Sequence, residues 1–133
     1  MSVINDVLQA VIDMAEEIQP YASIVVGALP ADNGISMTVG AGAPQTTFMT
    51  KGMVYEIDCV LNGKHSAQET VFDTLNDIHQ ALTMTKDYPA TDEYQILDIQ
   101  TTSSPNYIER EENKQYLYGS SVRVRFFFKK GEN

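Results

Sequence analysis

The apolar residues of the first twenty positions recur at helical spacing. Ile4, Val7, Leu8, Val11, Met14, Ala15 and Ile18 fall on one face, Asp6, Asp13 and Glu17 on the other, and Pro20 stops the series. This predicts an amphipathic helix packed on one side only, with Ser2 or Asn5 as its N-cap. The period then changes. Ile24, Val25 and Val26 are a β-branched run, a short strand or an extended connection, ahead of turn signals at Pro30 and Asn33-Gly34. Residues 35–40 alternate Ile35, Met37 and Val39 against Ser36 and Thr38, as a half-buried strand does. AGAPQTTFMTK, which follows, reads as a loop.

GMVYEIDCVLNG alternates again, with Met53, Tyr55, Ile57, Cys59 and Leu61 on one face and Glu56 and Asp58 on the other. Val54 and Val60 share that second face, so it is only partly wetted. Asn62-Gly63 reads as a turn, and Ser66-Ala67-Gln68-Glu69 as a capping box with Ser66 as N-cap. Val71, Phe72, Leu75, Ile78, His79 and Leu82 carry a second amphipathic helix to about Thr83. YQILDIQTT is a further strand, SSPNYIEREENKQ a polar excursion, and YLYGSSVRVRFFFKK a long closing strand. The order, α-β-β-α-β-β, predicts one α+β domain. Its mostly antiparallel sheet has about four strands, with two helices packed on one face.

Composition narrows the class without naming a function. At 43% hydrophobic and 20% charged, 133 residues suit a single core that needs no disulfide or metal. One cysteine cannot form an internal disulfide, and nothing points to an oxidising compartment. The N-terminal stretch has no basic n-region and carries acids within its apolar pattern. It reads as neither signal peptide nor membrane span, and the protein as cytosolic. A formal charge of -9 repels phosphate and weighs against wrapping of DNA or RNA.

Candidate chemistry concentrates in DCVLNGKHSAQET, which holds Cys59, His65 and Asp58. Strand alternation puts Cys59 among aliphatic neighbours and Asp58 on the opposite face, so the thiol is expected to behave as a small core hydrophobe. His65 and His79 have no metal-ligand spacing, and His79 reads as a core-edge histidine with one satisfied nitrogen. The Gly40-Ala41-Gly42-Ala43 run lacks the third glycine of a dinucleotide loop, position 45 being Gln45. Lys51-Gly52 reverses the order a Walker loop needs. Glu109, Glu111 and Glu112 look fully solvated, and no Gly-x-Ser-x-Gly elbow exists. Neither a cofactor nor a metal is expected, and an enzyme is the poorer hypothesis.

One pattern is less usual. Arg123 and Arg125 share a face of the closing strand with Phe127, and Glu56 and Asp58 form the matching acidic stripe. These charges either bridge strands within one chain or meet a neighbouring subunit. Phe48, Met49 and Met53 likewise close the core or form an exposed patch. Phe48, Met49, Glu56, Asp58, Tyr107, Arg123 and Arg125 are the candidate interface residues.

The layout of "MVYEIDCVLNGKHSAQETVFDTLNDIHQAL" followed by "YQILDIQTTSSPNYIEREENKQYLYGSSVRVRFFFKK" resembles the minor capsid or tail-completion proteins of long-tailed bacteriophages and prophages, akin to tail terminators. The resemblance runs over residues 3–129 and is weakest over 28–52. It implies a structural virion protein assembled in the bacterial cytoplasm, forming a ring, commonly hexameric. Such a ring caps the tail tube, meets the head-completion proteins and lets DNA pass. Heterologous contacts closing the ring would cover open sheet edges. Self-association should then depend on salt, because each subunit carries -9. The rivals are a head-side neck or connector protein and, in another class, a small-molecule-binding or enzymatic α+β domain.

Overall fold

A computed structural model of the chain describes residues 3–48 and 52–129, and of 41–48 and 52–53 the backbone alone. Seven elements follow in order. They are α1 (Val3–Glu16), β1 (Ile24–Val26), β2 (Ile35–Phe48), β3 (Gly52–His65), α2 (Gln68–Thr83), β4 (Tyr94–Arg110) and β5 (Tyr116–Lys129). The class is α+β, as the pattern predicts, but the sheet has five strands rather than four, in the order β1-β2-β3-β5-β4. The extra strand is the β-branched run at residues 24–26, which pairs parallel to β2 at Ile24↔Ile35. Every other pairing is antiparallel.

Both helices lie on one face. Val7, Leu8, Val11, Ile12 and Ala15 of α1 meet Val71, Leu75, Ile78 and Leu82 of α2 in a single cluster. That cluster also takes Ile57, Cys59 and Leu61 of β3 and Val122, Val124 and Phe126 of β5. Full burial of one such side chain contributes about 1.5–3 kcal/mol, so this layer is the main source of stability. Helix α1 ends at Glu16, two residues before its last apolar position. Gln19 takes a left-handed φ of 58° ahead of Pro20, and a Glu16 Oε2 atom accepts the Ile24 backbone N–H at 2.8 Å.

Several local expectations are corrected. Residues 41–48 continue β2 as a strand instead of forming a loop, and residues 103–110 extend β4 instead of wandering as a polar excursion. Register shifts mark both extensions, which accounts for the missing alternation there. Asn62-Gly63 is no turn but the interior of β3. A Cβ added to Gly63 would lie 3.0 Å from Val71 Cγ2 and 3.4 Å from Leu75 Cδ2, so its absence lets α2 approach the sheet. Because β3 runs on to His65, the helix starts one residue late. Ala67 is the N-cap and has no side-chain cap bond. The Ser66 N–H donates to Asn33 Oδ1 and the Ala67 N–H to His65 Nδ1, so the expected capping box does not form.

A candidate assembly surface on the sheet

The helix-free face of the sheet collects the charges of β3, β4 and β5. Cross-strand register sets Asp58 opposite Arg123 and Glu56 opposite Arg125, while Asp98 of β4 flanks Arg125 from the other side. Arg123 Nε donates to Asp58 Oδ1 at 3.1 Å and lies 3.8 Å from Glu56 Oε1. Arg125 Nη1 donates to Asp98 Oδ2 at 3.4 Å. The expected stripe is therefore present and its arginines are engaged within the chain. These side chains are 29–44% exposed, a setting in which an ion pair contributes at most about 1 kcal/mol.

Asp98 was not singled out by alternation, because β4 bulges between Ile96 and Asp98. The bulge lets Ile96 and Ile99 both reach the core, leaves Leu97 outside, and turns Asp98 toward Arg125. The readable signal was the apolar spacing of Ile96, Leu97 and Ile99, which fits no strict two-residue period.

Aromatic groups gather where β4 pairs with the start of β5. Tyr107, 52% exposed, lies edge-on to the buried Tyr118 at 5.8 Å between centroids, and Phe72 of α2 touches the same ring at 5.7 Å. Gln68 Nε2 fixes Tyr118 by donating to its hydroxyl at 2.7 Å. On the opposite face, Ile108 covers Gly119, where an added Cβ would sit 2.8 Å from Ile108 Cδ1. Tyr107 and Phe72 on one face and Ile108 on the other are each about half exposed, so apolar side chains border this part of the sheet on both faces. Of the other candidate residues, Phe48 is placed by its backbone at the end of β2, and Met49 lies outside the described residues.

The constellation suggested by Cys59, His65 and Asp58 does not assemble. Cys59 is fully buried, and burial, with the Asp58 charge adding to it, pushes its thiol up to about 12. Asp58 faces away from it across the sheet, and His65 lies six strand positions on, about 20 Å along β3. His65 instead packs edge-on against Tyr21 at 4.8 Å. His79 Nδ1 lies 2.7 Å from Thr101 Oγ1, its Nε2 has no partner, and burial lowers its pKa. Glu111 is not fully solvated. It holds the buried Lys64 ammonium at 2.7 Å and so ties the β4–β5 turn to the end of β3.

Among the described residues no three His, Cys, Asp or Glu side chains group as metal ligands, and no helix is long and apolar enough to cross a membrane. An open groove between α1 and the start of β4 is lined by Asp6, Asp13, Asp92, Glu93 and Tyr94, with neither a histidine nor the cysteine among them.

No family model matches the chain, and no curated protein does. Solved structures do. A chain from the virion of a native gene transfer agent particle has a similar fold, at a TM-score of 0.54 and 13% identity. The similarity covers 86% of this chain and 84% of that one. At that identity the likeness is one of fold.

Proposed function

We propose that this protein is a structural subunit of a phage-like particle, a ring-forming tail terminator that caps the tail tube and joins it to the head-completion proteins. The observation that carries this reading is the fold shared, over nearly its whole length, with a chain of a virion. The surface supports it. The arrangement offers paired charges, exposed aromatics and long sheet edges, which suit association, while its only thiol is sealed in the core. The role proposed is non-catalytic. With -9 per subunit, a ring would present DNA with a repelling surface and let it pass without sticking.

Addition of the protein to polymerising tail-tube subunits tests this reading. A terminator arrests growth and appears as a cap at one tube end. Tubes that lengthen unchanged would move the protein to the head side of the junction. A chain that stays monomeric at high concentration and every ionic strength, with and without tube protein, would remove the ring altogether.

A further inference from the structure

The sheet has two open edges, and both are built alike. On one side β1 covers only Ile35, Ser36 and Met37 of β2, leaving residues 38–48 without a strand partner beyond them among the described residues. On the other side β4 is the last strand, and its side chains are exposed on almost every position from 100 to 110. Soluble proteins usually guard such edges with charges, above all lysine. Here residues 35–48 hold no charged residue, and neither do residues 99–108, although 20% of the chain is charged. Pro44 and Pro105 each remove a single donor and leave the rest of each edge able to pair. The free part of the first window, residues 38–48, is close in length to the second, and both ladders carry the bulges that curve a sheet.

We propose that residues 99–108 of β4 pair, antiparallel, with residues 38–48 of β2 from a second copy, so that one sheet continues from subunit to subunit. This rests on the ring reading and specifies its contact. Direction follows from topology. β2 and β5 both run antiparallel to β3, and β4 runs antiparallel to β5, so β4 opposes β2 within one chain. Rotation about a ring axis preserves each strand's sense along that axis, so β4 of one copy meets an opposed β2 of the next. Tyr107 and Ile108, half exposed and within the β4 window itself, would lie at this contact. An uncharged seam is the arrangement that brings strongly acidic subunits together with least repulsion.

The two candidate interfaces predict opposite salt effects. An uncharged seam between acidic copies tightens as salt screens their repulsion, whereas an arginine–carboxylate contact between subunits weakens. Sedimentation velocity across ionic strength, on wild type and on Ser104→Lys and Ala43→Lys, makes the test, with circular dichroism confirming the fold. Ser104 is exposed, and only its carbonyl oxygen serves as an acceptor for Asn106 Nδ2, so the substitution leaves that bond in place. Expected are tighter assembly with rising salt and a loss of more than about tenfold in affinity for each lysine variant. Folded lysine variants that assemble as wild type does, or a wild-type ring that loosens in salt, would overturn the edge contact while leaving the ring. A wild-type chain that never assembles would overturn both.

Discussion

β5 has two neighbours and treats them differently. Against β3 it keeps one register from Gly52↔Lys129 to His65↔Tyr116 without a shift. Against β4 the register slips at four places over the same length. The first pairing presses Ile57, Cys59, Leu61, Val122, Val124 and Phe126 onto the helices, all fully buried. The second is packed only near Tyr94, Ile96 and Ile99, then runs out as an exposed arm. One sheet thus has an inner ladder that holds the fold and an outer ladder with little of the core resting on it. Alternation explains the contrast. A strand that buries one face must keep its register, because a slip by one residue would reverse every side chain, while an arm exposed on both faces bears no such constraint.

The largest expected effect breaks the inner ladder. Phe126→Ala removes a fully buried ring stacked on Tyr55 at 5.7 Å, and should lower unfolding free energy by about 3–5 kcal/mol in urea melts. Tyr107→Ala, on the outer ladder, should cost less than about 1 kcal/mol, in the range of exposed positions. Equal losses at the two sites would erase the distinction between the ladders.

The same contrast governs what could be read from the sequence. β3 and β5 were legible because Ile57, Cys59 and Leu61, like Val122, Val124 and Phe126, repeat every second residue. The helices were legible for the equivalent reason. The β2 and β4 extensions were not, since small and polar residues carry no periodic signal, and the register shifts along both extensions break the little there is. Asn62-Gly63 misled because the same pair serves a turn or a strand over which a helix must pass closely. Only the position of Val71 and Leu75 decides between them. For the candidate site, alternation set Arg123 and Arg125 on one face and Glu56 and Asp58 as the matching stripe, while the pairing of Arg123 with Asp58 came only with the β3–β5 register. Asp98, Ile108 and the Lys64–Glu111 pair depend on how β4 and its turn fold back, which no local pattern states.

A smaller effect tests whether the outer arm is fastened at its tip. Lys64 is nearly buried and Glu111 is its carboxylate partner, so Glu111→Ala would leave an ammonium with little access to water. A loss of about 2–3 kcal/mol is expected, as for a charged hydrogen bond whose remaining partner stays buried. Replacing both residues together, Lys64→Met with Glu111→Leu, should recover most of it, because the cost lies in the stranded charge. If Glu111→Ala melts like wild type, the turn is not held by this pair, and the arm is looser than the comparison requires.

The smallest effect concerns the charges spanning both ladders on the open face. Asp58→Asn leaves Arg123 with Glu56 at 3.8 Å as its remaining acid, and the arginine already has water access. Its stability cost should be about 0.2–1 kcal/mol and should fade as salt is raised. The informative quantity is the ratio between this loss and that of Glu111→Ala. Both remove one carboxylate from one cation, and they differ mainly in how far the cation is shielded from solvent. A cost for Asp58→Asn as large as that for Glu111→Ala would mean that the open face is shielded too, as it would be if another subunit lay across it. That result would favour a charged contact between copies over the uncharged edges.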